Sequence, residues 1–182
     1  MNLVLLKFIS SIRFMKKRWL AAYVKMHHEK KVRDHLTSLN IDNFLPVQTE
    51  IRQWSDRKKK VERVLIPMMI FVNVDTEEQK RVIRLPSVIR YLVLRGEHQP
   101  SEIPASQMNS FKFMLDNSDN QVDFSSNNLQ PGEKVRVVRG SLAGLEGELV
   151  NIDGKYKIAI RIEQLGCAVV ELNTSSVERI NS

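Results

Sequence analysis

Gly132-Glu133-Lys134-Val135-Arg136-Val137-Val138-Arg139-Gly140-Ser141-Leu142-Ala143-Gly144-Leu145-Glu146-Gly147-Glu148 is an alternating strand that runs into three glycines, Gly140, Gly144 and Gly147, set four and three residues apart. Val135 and Val137 project to one side of the strand, and Lys134, Arg136 and Val138 to the other. The glycines then admit backbone angles that a Cβ resists. The pattern predicts a strand entering a tight, closely packed turn of a small barrel. No Gly-Lys-Ser/Thr follows for a phosphate loop and no Gly-x-Gly opens a dinucleotide turn, so the commoner glycine-rich nucleotide sites are excluded.

Downstream of this run the chain reads as strands alone. Ile158, Ile160 and Ile162 are expected to face inward and Lys157, Arg161 and Glu163 outward, with Asn151-Ile152-Asp153-Gly154-Lys155 as the hairpin turn before them. A domain of about 55 residues, 129–182, stands near the lower limit for independent stability. Upstream, residues 117–128 offer almost nothing to bury and are expected to be a flexible linker.

The first half mixes periods. Residues 19–25 read as a strand and 27–40 as a helix whose Val32, Leu36 and Leu39 share one face, with Lys30, Lys31, Arg33 and Asp34 on the other. Residues 43–54 and 61–74 read as two strands joined by a polar, basic hairpin tip at 55–60; from Arg52 to Arg63 there are six basic residues and two acidic ones. Thr76-Glu77-Glu78-Gln79 fits a capping box with Thr76 as the cap, and Pro86 ends the short helix it starts. Residues 88–94 form a further strand, and 104–115 a helix with Met108, Phe111 and Leu115 as its apolar stripe. Residues 1–18 read as a dispensable N-terminal extension. Its apolar run is broken by Lys7 and is too short to span a bilayer.

A chain of 182 residues with 42% apolar and 27% charged composition is that of a soluble globular protein of one or two domains. Its net charge of +7 resides entirely in residues 1–125, with 21 Lys/Arg against 14 Asp/Glu, whereas residues 126–182 balance at 7 against 7. A basic first part points to a polyanion partner. The single cysteine, Cys167, lies in an apolar run, which excludes an internal disulfide and fits a reducing cytoplasm. An enzyme is not expected. His28-Glu29 opens like a zinc-protease helix, but Val32 stands where the second histidine is needed, and Cys167 has no basic partner near it in sequence. No metal and no cofactor are expected.

The glycine run resembles the KOW motif of small barrels in transcription elongation factors and some ribosomal proteins, on Gly132, Arg139, Gly140, Gly144 and Gly147. With both halves in view, residues 19–180 resemble the NusG/RfaH family of elongation and antitermination factors. In the first half the resemblance rests on Trp19-Leu20-Ala21-Ala22-Tyr23-Val24 before a basic helix, on Phe44-Leu45-Pro46, on Trp54-Ser55-Asp56-Arg57-Lys58, and on Leu65-Ile66-Pro67-Met68-Met69-Ile70-Phe71-Val72. In the second it rests also on Leu165-Gly166-Cys167-Ala168-Val169-Val170-Glu171-Leu172. It implies an α+β chain: an NGN-type α/β sandwich, an antiparallel sheet with helices, over 19–116, then the linker 117–128 and an SH3-like KOW β-barrel over 129–182.

The same resemblance implies a monomeric cytoplasmic factor that grips the clamp helices of the largest RNA polymerase subunit and meets non-template DNA or nascent RNA. Its barrel would contact the ribosome or another factor, and no membrane is involved. Polymerase binding is carried over to Trp19, Tyr23, Phe44, Pro67, Met68, Met69 and Phe71, part of which belongs to the core. Nucleic-acid binding is carried over to Arg52, Trp54, Arg57, Lys58, Lys59 and Lys60. The family's aromatic Pro-Gly-Tyr or Pro-Asn-Tyr is replaced here by Pro67-Met68-Met69. That departure implies a paralogue dedicated to one operon, like antiterminators of surface-polysaccharide operons. A ribosome-associated KOW RNA-binding protein is the rival reading; its neutral barrel and the first half count against it.

Overall fold

The computed structural model describes residues 16–53, 57–126 and 129–180. In chain order its elements are β1 (Arg18–Val24), α1 (Glu29–Ser38), β2 (Asp42–Phe44), β3 (Val47–Gln53), β4 (Lys58–Val64), β5 (Met69–Val74), α2 (Thr76–Ile83), β6 (Val88–Tyr91), β7 (Glu102–Ile103), α3 (Ala105–Asn117), β8 (Val122–Ser125), β9 (Glu133–Val137), β10 (Glu146–Ile152), β11 (Lys155–Ile162), β12 (Gly166–Glu171) and β13 (Val177–Arg179). The chain divides into two compact units, Met1–Leu45 with Pro67–Pro104, and Pro46–Ile66 with Ala105–Ser182. The expected α+β class, an α/β part and a small β domain, is what the elements form. The expected extension lies outside the described residues up to residue 15; Arg18 is already in β1, and the Lys17 ammonium donates to Glu78 at 3.0 Å.

Unit 1 is an antiparallel sheet in the order β2-β5-β1-β6, with β7 also on β1. Leu20, Ala22, Val24, Ile70, Val72 and Val74 are buried on one face of β1 and β5, and Trp19, Ala21, Met69 and Phe71 on the other, so both faces are dry. The run expected as one strand over 43–54 is divided at Pro46, which has no N–H for a ladder. The run expected over 61–74 is divided by the turn at Pro67 and Met68. The capping box lies one residue earlier than Thr76: Asp75 Oδ1 accepts from the Glu77 and Glu78 N–H groups at 2.8 Å each, and Glu78 accepts from the Asp75 N–H at 3.2 Å. An ionised carboxylate is the stronger acceptor for those orphan amides, which is why Asp75 rather than Thr76 takes the position.

Unit 2 holds the β3–β4 ribbon, α3 and a six-stranded antiparallel sheet in the order β13-β9-β10-β11-β12-β8. Val135, Val137, Ile158, Ile160, Ile162 and Cys167 are buried in it as expected, and so is Ala159. Gly140 and Gly144 take φ of 86° and 92° in the turn after β9, while Gly147 pairs with Val135 across the ladder. Residues 117–128 are not simply a linker. Val122–Ser125 pair with Val170–Cys167 along the edge of β12, Val122 is fully buried, and the Phe124 ring centroid lies 6.3 Å from that of Phe111 on α3. Two apolar side chains two residues apart give a strand one buried face, which a polar average over the stretch conceals.

β8 approaches β12 so closely that a Cβ on Gly166, which sits at φ 142°, would lie 2.1 Å from the Ser125 carbonyl oxygen. Gly166→Ala should therefore cost about 1–3 kcal/mol and detach β8; amide exchange across Val122–Ser125, measured beside the parent chain, should accelerate.

Within the barrel sheet, the Glu148 carboxylate accepts from Arg161 at 2.7 Å and 3.0 Å and from the Gly132 N–H at 3.1 Å. The Arg161 hydrogen bond holds the Glu148 carboxyl below its ordinary value, against the upward push of partial burial. A carboxyl lowered in the folded state contributes stability above its unfolded value and loses it as pH falls toward the folded one. Denaturant midpoints should accordingly decline below the usual carboxylate range, and Glu148→Gln should lower the neutral-pH midpoint and flatten that decline.

Candidate functional site

Of the sequence-derived nucleic-acid residues, Arg52 lies on β3 and Lys58, Lys59 and Lys60 on β4 of the β3–β4 ribbon in unit 2, with Arg57 immediately before β4. Its register runs from Val47↔Val64 to Gln53↔Lys58, and neither strand joins a third among the described residues. Lys58, Lys59 and Lys60 lie on β4 rather than on the tip, because the ladder continues outward to Gln53↔Lys58. Directly opposed residues share a face, so Lys58 and Lys60 project with Ile51, and Lys59 projects to the other side with Arg52 as its backbone partner. All three lysines are exposed, as is Arg57, and Ile51 is 66% exposed between them. Trp54 lies outside the described residues.

The proximal end of the ribbon is held by polar contacts that the sequence did not disclose. The Gln48 amide donates to the Asn120 carbonyl at 2.9 Å and accepts from the Val122 N–H at 2.9 Å. Arg63 donates to the Val122 carbonyl at 2.6 Å, lies 3.5 Å from Asp123, and pairs with Glu50 on β3. These contacts turn an otherwise marginal two-stranded element into one with a fixed base and a cationic distal half. Periodicity carried no signal for them, since Gln48 and Arg63 read as solvated ribbon residues.

In unit 1 the residues linked to polymerase binding separate by exposure. The register Ala21↔Phe71 and Tyr23↔Met69 puts Trp19, Tyr23, Met69, Phe71 and Phe44 on one face of the sheet. Trp19, Met69 and Phe71 are core, Met69 with only 4% of its surface accessible. Tyr23 and Phe44 are half-buried; the Arg90 guanidinium stands 4.5 Å from the centre of the Tyr23 ring, and the Phe44 ring is 6.2 Å from that of Phe71. Pro67 is exposed and Met68 half-exposed, at the turn between β4 and β5.

Met68 sits at φ 61°, the left-handed region that turns of this kind reserve for Gly or Asn after Pro. The departure of Pro67-Met68-Met69 from Pro-Gly-Tyr or Pro-Asn-Tyr thus falls on the one position with a backbone demand, and a non-glycine residue there costs of order 1–3 kcal/mol. The Met68 N–H donates to the Glu29 carboxylate at 2.8 Å, and its carbonyl accepts from the Val24 N–H at 2.9 Å. The sequence brought Glu29 to notice only beside His28, in an incomplete zinc-protease pattern, and gave no sign of this contact with Met68, 39 residues away. Among the described residues no group of three His, Cys, Asp or Glu side chains is placed to hold a metal ion, and no helix is long and apolar enough to cross a membrane.

The family model described as transcription termination factor nusG matches residues 17–112, just over half of the chain. The chain belongs to the NusG family. Two relatives, both transcription termination/antitermination proteins NusG, extend the likeness across both units. That of Pasteurella multocida (strain Pm70) is 27% identical over 173 residues, 89% of this chain and 86% of its own length. That of Streptococcus pyogenes serotype M1 is 25% identical over 166 residues, 85% of this chain and 90% of its own. A solved structure, described as domain interaction in Thermotoga maritima NusG, shares the fold at a TM-score of 0.50 and 21% identity, over 92% of this chain and 99% of that one.

This NusG-family chain therefore presents two kinds of candidate residue, core and surface, that mutation should tell apart. Met69→Ala should cost about 2–5 kcal/mol in urea unfolding, as for any large buried side chain, whereas Lys59→Ala on the ribbon should stay within about 0.5 kcal/mol.

Proposed function

We propose that this NusG-family chain is a cytoplasmic transcription elongation and antitermination factor that holds RNA polymerase in its elongating state. The exposed Pro67 and Met68, with the accessible parts of Tyr23 and Phe44, are its contact with the clamp helices of the largest polymerase subunit. Methionine suits such a groove, being flexible and polarisable. The ribbon meets the non-template DNA strand or nascent RNA. Binding that favours the closed clamp over the open one shifts the population away from pausing and termination, by as much as the affinities for the two states differ.

The observation that carries this reading is the cationic ribbon, in a chain of this family, with Lys58, Lys59 and Lys60 all exposed beyond an anchored base. Strand residues two apart are separated by roughly 6.7 Å, so one edge offers successive positive charges to a phosphate backbone without selecting bases. Residues 126–182 carry 7 Lys/Arg against 7 Asp/Glu, which supports a protein partner for the barrel, the ribosome or another factor. The left-handed methionine in the polymerase-contacting turn supports a paralogue dedicated to one operon, such as a surface-polysaccharide operon.

Replacing Lys58, Lys59 and Lys60 together with Ala should weaken binding to single-stranded or duplex nucleic acid in the transcription complex. It should also lower the slope of log affinity against log salt by about 2–3. Co-purification with core polymerase should persist. Antitermination read on a leader template should fall; unchanged read-through with the triple variant would remove the ribbon from the mechanism.

A further inference from the structure

Glu29 is an acidic side chain with 5% of its surface accessible, at the first residue of α1, and its Oε1 accepts from the backbone N–H of Met68 at 2.8 Å. Met68 is the half-exposed residue at φ 61° beside exposed Pro67. An unconstrained Met-containing turn would spend much of its time with that residue in a right-handed or extended conformation, which turns the peptide plane and redirects the side chain. A buried carboxylate that accepts from the amide selects the left-handed conformer, because any other takes the N–H away from its partner and leaves a buried charge unpaired. From the other side of the turn, the Val24 N–H donates to the Met68 carbonyl at 2.9 Å, so both polar groups of this one residue are held.

We propose that Glu29 is a positioning residue for the polymerase-binding turn: its carboxylate locks Met68 in the left-handed conformation that presents Pro67 and the Met68 side chain together. This rests on the polymerase reading above. Glu29 itself is buried and touches no partner; it acts through the geometry of Met68.

The test uses the full chain and core RNA polymerase. Glu29→Ala should accelerate exchange of the Met68 amide at least tenfold and weaken polymerase binding on the order of tenfold, the scale of one hydrogen bond to a charged acceptor. Glu29→Gln keeps an acceptor oxygen and should restore most of that binding. In a Met68→Asn background, where the side chain tolerates the left-handed region, Glu29→Ala should cost no more than about twofold. If Glu29→Ala fails to fold, Glu29→Asp, one methylene too short to reach, carries the same expectations.

Unchanged Met68 exchange overturns the proposal, as does an equal loss of binding in both backgrounds, which would mark a general packing effect. Faster exchange with undiminished binding also overturns the positioning role. In that case Pro67→Glu, Met68→Glu as a double variant identifies which part failed: if it too binds polymerase normally, the polymerase reading of the turn falls, and if it loses binding, only the role of Glu29 does.

Discussion

The backbone pairing of Val122–Ser125 with the edge of β12 is the interaction on which unit 2 depends. One edge of this short strand extends the barrel sheet, Phe124 reaches the Phe111 ring on α3, and the groups left over at its N-terminal end are taken by Gln48 and Arg63 from the ribbon. A two-stranded ribbon is marginal by itself in water. Held by its base, it can keep three successive exposed lysines, Lys58, Lys59 and Lys60, at the distal end of β4, whose mutual repulsion would otherwise favour unravelling. The anchored cationic surface of the ribbon is therefore a consequence of how β8 is paired.

Unit 1 meets a different constraint. Its central strands are dry on both faces, so a partner cannot read the sheet itself and must approach turns and strand ends. The Pro67–Met68 turn is such a place, and its shape is set by the hydrogen bonds of Met68, its N–H to the Glu29 carboxylate and its carbonyl from the Val24 N–H, rather than by bulk. Half of the aromatic and methionine residues that look like a binding patch in the sequence, Trp19, Met69 and Phe71, fill that double-sided core instead. Proximity in sequence to Pro67 says little about which of its neighbours a partner can touch.

Much of this architecture was legible in advance. The alternation at Val135 and Val137 with the glycine spacing announced the small barrel, the helix periods at Val32 and Leu36 and at Met108 and Phe111 located α1 and α3, and the charge imbalance pointed to the ribbon. What escaped were features that depend on a second, distant segment. Asp75 displaced Thr76 as the helix cap through competition between two acceptors for the same amides. Val122 and Phe124 carry a faint local alternation, but they form a strand because β12 offers an edge to pair with. Gln48, Arg63 and Phe111 bring the ribbon and α3 to β8 through contacts between segments far apart in sequence.

The sequence by itself carried the motifs that resemble the family, and it determined the class of each half and the location of the positive charge, because motifs, periodicity and composition are local properties that need no knowledge of what packs where. Only the tertiary structure decided which candidate residues have surface to offer, that Met68 adopts a left-handed conformation, and that Glu29 is buried against it. Those depend on hydrogen-bond partners as far apart as residues 29 and 68 or 48 and 122, and a pairing across such distances is specified by the folded chain as a whole.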